Sequence, residues 1–80
     1  MTTNAEFYQS VLNFHTERLI KCRYKDEAVF HWRQILYYNN DFSEQTGGAE
    51  LTVDDLYKQA KQSLPLLAQI IDKYNLKEEG

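Results

Sequence analysis

The chain has 80 residues and a net charge of −3, with 26% charged and 42% hydrophobic side chains. This is the composition of a globular protein and not of a disordered segment. So short a chain forms a single domain, which we place at residues 1–80, and it has little room for a deep catalytic pocket.

Cysteine usage and the N-terminal sequence indicate a cellular compartment. The single cysteine, Cys22, excludes an internal disulfide framework and a four-cysteine zinc site, and a chain without a bridge suits a reducing environment. Residues 1–6 have neither the basic nor the apolar segment of a signal peptide. No apolar run approaches the roughly 18–20 residues that span a membrane. We therefore expect a cytoplasmic protein without a membrane partner.

The first predicted helix begins at Thr3, because Thr3 and Glu6 have the spacing of a capping box. Its apolar face takes every third or fourth residue and leaves Ile20 outside. The members of that face are Phe7, Tyr8, Val11, Leu12, Phe14, His15, Leu19 and Cys22. One continuous helix to about residue 39 is the alternative, but its heptad seam would bury two cations, Arg18 and Lys25. The sequence therefore predicts a break at residues 24–26, with Asp26 as the cap of the second helix.

The second predicted helix, at about residues 27–39, is apolar on most of its circumference. One apolar side consists of Ala28, Val29, Trp32, Ile35 and Leu36, and Phe30 and Tyr37 form another. His31 falls on the remaining polar strip. A helix of this kind is either central to a bundle or covered by something else.

The third predicted helix follows a loop at residues 39–52, which Asn39 and the glycines at 47 and 48 indicate. Thr52 and Asp55 mark the start of this helix. An apolar register from Val53 to Tyr74 passes through Pro65 without losing phase, and this favours one kinked helix over a second helix capped by Ser63. Residues 76–80 are expected to fray. The predicted fold is all-α: a small antiparallel three-helix bundle with a kinked C-terminal helix, or four helices if the chain splits at Pro65.

The sequence offers two weak patterns for metal binding. His15 and Cys22 share one helical face, but zinc needs about four ligands and a core position explains both residues. Residues 39–50 have the oxygen spacing of a calcium loop, but Glu44 occupies the position of the required glycine. Cys22 is predicted to be buried, which disfavours its thiolate, and no catalytic motif accompanies it. We expect no metal, no cofactor and no enzymatic activity.

The pattern most suggestive of function lies at the end of the second helix. Two adjacent tyrosines point in different directions there, and ring area bordered by carboxylates is typical of protein interfaces. The candidate partner-binding residues are Phe30, Tyr37, Tyr38, Asp41 and Phe42. The alternative is that Phe30, Tyr37 and Phe42 close a small core under the loop. The leading hypothesis is a non-enzymatic protein–protein interaction module, with a homodimer as one form of it.

The stretch Leu36-Tyr37-Tyr38 beside the acidic loop is similar, over fewer than ten residues, to the small acidic immunity proteins that block nuclease bacteriocins. The proline that follows the tyrosines in that family is Asn39 here. The resemblance implies a style of interface, in which tyrosines lie among carboxylates. A second hypothesis is therefore an acidic inhibitor that occupies the basic site of a nucleic-acid enzyme, with salt-sensitive binding through residues 39–57.

A third hypothesis is a regulator that binds nucleic acid directly. Its contacts would be the cluster Arg18, Lys21, Arg23 and Lys25, since phosphates are bound by basic side chains. The net acidic chain, with a pI near 5.2, favours a solvated flank instead.

Overall fold

The computed structural model describes residues 4–48 and 51–78, with the side chain of residue 4 excepted. These ranges contain four α-helices, a short 3₁₀ helix and no strand. The helices are α1 (Asn4–Lys21), α2 (Lys25–Gln45), α3 (Val53–Ser63) and α4 (Pro65–Lys73), and the 3₁₀ helix is Leu76–Glu78. The all-α prediction is confirmed. No helix within the described ranges is long and apolar enough to cross a membrane.

The predicted break between the first two helices is confirmed, but it lies at residues 22–24 instead of 24–26, and its predicted cap is wrong. The capping residue of α2 is Tyr24, with extended backbone angles (φ −126°, ψ 145°) and no hydrogen bond from its side chain. Asp26 lies inside the first turn of α2 instead. There its carboxylate adjoins the positive end of the helix dipole, which an acid can stabilise without capping. The capping box predicted at Thr3 lies outside the described residues.

The predicted loop at 39–52 is wrong in its first half, because α2 continues to Gln45. Asn39 does not break the helix, since its side-chain amide donates to the Ile35 carbonyl one turn earlier (3.0 Å). The neighbouring Asn40 accepts from the Leu51 amide (2.9 Å) and so ties the far side of the connection to α2. The chain leaves the helix at Gly47, whose φ of +78° is readily adopted by glycine. Residues 39, 41 and 43, the first three oxygen positions of the calcium-loop spacing, therefore lie on a helix and do not curve around an ion, and residue 50, its last position, lies outside the described residues.

The single kinked C-terminal helix is also wrong, and the four-helix alternative is the observed arrangement. Leu64 has φ −137° and ψ 73°, which ends α3, and Pro65 is the first residue of α4. A residue before proline avoids the α region, and proline has no amide to donate at a first turn where none is needed. Ser63 does not cap α4; Leu64 holds that position. The predicted helix start at Thr52 and Asp55 is confirmed, and the structure shows that these two residues form a capping box at the start of α3.

The core lies between the α1–α2 pair and the C-terminal helices. Its largest fully buried side chains are Trp32, Leu19, Ile71 and Leu76. Leu76 belongs to the segment expected to fray, but it is packed in the core cluster. Ile20, predicted to lie outside the apolar face of α1, is half-buried against the same cluster. Phe7 and Phe14, predicted to lie on that face, are instead about half exposed.

Candidate protein-binding surface

Four large aromatic side chains remain exposed on the first two helices. Phe7 and Phe14 of α1 are 52% and 51% exposed, and Phe30 and Tyr37 of α2 are 54% and 62% exposed. Monomeric proteins expose single apolar residues freely, but a contiguous group of large ones marks a functional surface. We call these four residues the aromatic surface.

The spacing of the four rings places them on one side of the α1–α2 pair. Within each helix the two rings are seven residues apart, which is close to two full turns. The core side of α2 carries Trp32 and Ile35, which are buried. On a helical projection the exposed rings of both helices lie beyond the α1–α2 seam, on the side away from that core.

Beneath the aromatic surface, a row of rings fills the seam between the two helices. Tyr8 packs on Phe42 with ring centroids 5.1 Å apart, and His15 stacks on Tyr38 at 6.3 Å with an interplanar angle of 15°. Tyr37 meets Tyr38 edge to face at 5.1 Å. Offset and edge-to-face contacts of this kind are attractive. The exposed rings therefore rest on an ordered layer.

The Tyr8 hydroxyl fixes one end of this row by donating to the Asp41 carboxylate. The hydrogen bond stabilises the neutral phenol next to a negative charge and is the main reason that the pKa of Tyr8 rises to about 12; burial adds to the rise. Asp41 is itself half-buried. The Asp41 carboxylate therefore binds the Tyr8 hydroxyl of α1 at the edge of the aromatic surface.

At the centre of the seam, two histidines face each other. The Nδ1 atoms of His15 and His31 lie 2.9 Å apart, so one ring must donate a proton that the other accepts. Burial lowers the pKa of both rings; the charge of His31 also lowers that of His15, and Arg18 lowers that of His31. The sequence had placed His31 on a polar strip. The pairing depends on which faces of two helices meet, and no pattern within one helix contains that information.

The five predicted partner-binding residues all lie on α2, where two are exposed and three are half-buried. Phe30 and Tyr37 belong to the aromatic surface, whereas Tyr38, Asp41 and Phe42 are half-buried in the seam with α1. Of the three rings in the small-core alternative, only Phe42 packs inward. Phe7 and Phe14 were missed as partner-binding candidates because their helical phase predicted core positions.

The basic cluster lies around the connection between α1 and α2, where all four side chains are exposed. The Arg18 guanidinium lies 5.2 Å from the centre of the Phe14 ring, and the Lys21 ammonium forms an ion pair with Glu17 at 2.8 Å. Both cations are thus engaged with neighbouring side chains. Charged side chains therefore border the aromatic surface next to Phe14.

Beside Arg18 a shallow open groove runs from Phe14 to Cys22 and His31. Cys22 is half-buried, and this burial raises the pKa of its thiol, so the reactive thiolate is disfavoured. Among the described residues, no group of three or more His, Cys, Asp and Glu side chains could hold a metal ion. His15 and Cys22 were the pair considered for metal binding. His15 contacts His31, whereas Cys22 packs against the core cluster.

A second exposed apolar pair flanks Pro65. Leu64 and Leu66 are 45% and 60% exposed. Leu64 borders a groove that it shares with Leu12 and Trp32, on the core side of α1 and α2. These leucines therefore belong to a different face of the protein and provide a matched control for experiments on the aromatic surface.

Comparison with protein families, curated proteins and solved structures found no match to this chain.

Proposed function

We propose that this protein is a non-enzymatic protein-interaction module that binds through the aromatic surface. The observation that carries the proposal is the position of Phe7, Phe14, Phe30 and Tyr37, half exposed on the side of α1 and α2 away from the core. Covering them removes apolar area from water. Burying a fully exposed phenylalanine is worth about 1.5–3 kcal/mol, so covering a half-exposed ring is worth about half of that.

The ordered layer beneath the surface supports binding in a second way. Tyr37 rests edge to face on Tyr38, and Phe14 rests edge to face on His15 at 5.1 Å. Rings held by such contacts lose little rotamer freedom when a partner covers them, and immobilising a free side chain costs about 0.5–1.5 kcal/mol. Aromatic residues at the centre of an interface commonly supply most of its affinity.

The acidic-inhibitor hypothesis has weaker support, because several of its carboxylates are engaged within the fold. The Asp41 carboxylate accepts from Tyr8, the Asp55 carboxylate accepts from the Thr52 amide at the start of α3, and Asp54 pairs with Lys77 at 3.4 Å. Asp41 also lies on α2, whereas Asp54 and Asp55 lie on α3. Direct nucleic-acid binding has weaker support still, since Glu17, Asp26 and Glu27 flank the four basic residues.

Site-specific photocrosslinking in cells that produce the protein tests the proposed function. Benzoylphenylalanine replaces Tyr37 in one variant and Leu66, which has a similar exposed fraction, in a control variant. We expect a discrete protein adduct from position 37 and none from position 66. The protein in the adduct is identified by mass spectrometry, and its affinity should fall for Tyr37→Asp but not for Leu66→Asp. Adducts absent from position 37, or equally abundant from position 66, would contradict the proposal.

A further inference from the structure

We propose that protonation of the paired His15 and His31 controls binding at the aromatic surface, so that the partner is bound at neutral pH and released in mild acid. This inference rests on the proposed function and adds a regulator, the proton, to the same surface. Histidine is the side chain whose charge ordinarily changes in this pH range.

The two imidazoles form the floor under two rings of the aromatic surface. Phe14 meets His15 edge to face with ring centroids 5.1 Å apart, and Phe30 meets His31 in the same way at 5.1 Å. Phe30 also reaches across the seam to His15, at 6.3 Å. A change in the position or charge of either imidazole therefore acts directly on two of the four binding rings.

The hydrogen bond between the imidazoles accommodates one added proton but not two. With both rings neutral, one Nδ1 atom donates to the other across 2.9 Å. A first added proton has a place on the Nε2 atom of the donor ring and leaves this bond intact. A second one must bind the accepting Nδ1, where two donors and two positive charges then face each other. The rings must separate, and this displaces Phe14 and Phe30, which rest on them.

The charges around the pair come from α1, α2 and the connection between these helices. The charged and titratable side chains that face it are Arg18, Glu17, Lys21, Cys22, Glu27 and Tyr38. Burial is the largest cause of the lowered pKa of both imidazoles; Arg18 lowers the pKa of His31 further, and Glu27 opposes this. Glu17 and Lys21 form an ion pair with each other. The free protein therefore holds the pair neutral at pH 7.

A partner seated on Phe14 and Phe30 makes proton binding still less favourable. Both histidines are half-buried in the free protein, so each retains some contact with water. The partner removes this water, and a charged imidazole is disfavoured without it. Binding therefore lowers the pKa of the pair again and releases any proton that the free protein holds.

The direction of the pH dependence follows from this linkage. The pKa of each imidazole is already below the ordinary 6.5 in the free protein and is lower still in the complex. Affinity is therefore constant above this pH. It falls as pH drops through the lowered pKa values of the free protein, by up to about tenfold per pH unit for each proton released.

Photocrosslinking at controlled pH tests the proposal. Extract from cells that produce the protein with benzoylphenylalanine in place of Tyr37 is adjusted to about pH 7.5 or about pH 5.0 before illumination. We expect the yield of the same adduct to be about threefold lower in the acidic sample. The control is the double variant His15→Gln/His31→Gln, whose amides still form hydrogen bonds but do not titrate. Its yield should be equal at both pH values, and His31→Gln alone should show a smaller fall than the original protein.

The outcomes separate failure of this proposal from failure of the proposed function. An adduct of equal yield at both pH values would overturn control by protons and leave the protein-interaction function standing. A fall of the same size in the double variant would assign the pH dependence to the partner's own groups and would also overturn it. Absence of an adduct at every pH would contradict both proposals.

An NMR titration of the isolated full chain over the same pH range tests the coupling without a partner. The ring signals of Phe14 and Phe30 should shift together with those of the two histidines. Phe7 is the control within the same surface, because it contacts Tyr8 at the acidic end of the seam, where Asp41 accepts from Tyr8. Signals of Phe14 and Phe30 that shift no more than those of Phe7 would contradict the coupling.

Circular dichroism distinguishes release by the pair from unfolding. At the temperature of both experiments, the acidic sample of the isolated chain should keep its helices. Loss of the helices at this pH would mean that unfolding releases the partner, and the proposal would be wrong.

Discussion

The Nδ1 atoms of His15 and His31 lie 2.9 Å apart at the centre of the α1–α2 seam. One proton between these nitrogens satisfies both, with one ring as donor and the other as acceptor. A second proton on the facing nitrogens would leave two donors opposed in a half-buried site. The contact thus links the packing of two helices to the protonation state of the pair.

The first prediction concerns the stability of the fold at mildly acidic pH. Burial is the main cause that lowers the pKa of both histidines below the ordinary 6.5, and Glu27 only partly opposes this at His31. The unfolded chain therefore binds protons that the folded chain excludes as pH falls below about 6.5. The histidine contribution is complete above this pH and declines from there toward the lowered folded-state values. The melting temperature should decrease across this range.

The control for this prediction is His31→Gln, which removes one member of the pair. Its melting temperature should depend less on pH between 7.5 and 5.5 than that of the original protein, as measured by circular dichroism. If the two profiles had the same slope, protonation of this pair would not be the cause of acid sensitivity.

A second prediction separates core from surface on one helix. Leu19 and Phe14 share the apolar face predicted from the sequence, but Leu19 is fully buried and Phe14 is half exposed. Leu19→Ala should cost about 2–5 kcal/mol of the free energy of unfolding. Phe14→Ala should cost less than about 1 kcal/mol. Urea unfolding of both variants, at a protein concentration low enough to keep the chain monomeric, measures the difference, and equal losses would place Phe14 in the core.

A third prediction tests the hydrogen bond at the acidic end of the seam. Tyr8→Phe keeps the ring contact with Phe42 but removes the donor to the half-buried Asp41 carboxylate. The melting temperature should fall by about 5 °C, the shift that a hydrogen bond of ordinary strength produces in a domain of this size. Tyr37→Phe, at an exposed position, serves as the control and should have little effect. Equal melting temperatures for the two variants would show that the Tyr8–Asp41 bond does not stabilise the fold.

A fourth prediction concerns the start of α3. The Asp55 amide donates to the Thr52 hydroxyl oxygen (3.1 Å), and the Thr52 amide donates to the Asp55 carboxylate (3.2 Å). Thr52→Ala removes the side-chain cap and should cost about 1 kcal/mol, whereas Thr52→Ser keeps the hydroxyl and should cost much less. Hydrogen exchange of the amides in the first turn of α3 would locate the effect. Protection unchanged by Thr52→Ala would contradict the role of the cap.

The features predicted correctly from the sequence are those determined by neighbouring residues. The start of α3 is of this kind, because Thr52 and Asp55, three positions apart, bond to each other through their side chains and amides. The break before α2 was predicted from the cost of burying Arg18 and Lys25 in a helical seam. The end of α2 was not predictable in this way, because Asn40 is held by the distant Leu51 amide. Pro65 was misleading for a related reason: α3 and α4 are separate helices, yet both turn their apolar residues toward one core, so the register keeps its phase.

In the candidate site, too, the features set by residues within one helix were predicted and those set by contacts between helices were not. Phe30 and Tyr37 were identified because α2 has more apolar surface than neighbouring helices need to cover. Phe7 and Phe14 were assigned to the core because helical phase gives the width of an apolar face but not where the neighbouring helices end. The contact between His15 and His31 depends on how two helices are aligned, which is a tertiary property.

The most direct test of the homodimeric form of binding through the aromatic surface is an NMR dilution series of the uniformly labelled full chain. Backbone amide shifts are followed from about 1 mM, where a micromolar dimer is almost fully formed, down to concentrations at which it dissociates. We predict concentration-dependent shifts at Phe14, Phe30 and Tyr37, with none at Lys58 and Leu66 on the C-terminal helices. Shifts centred on α3 and α4, or no shift at any concentration, would contradict self-association through the aromatic surface.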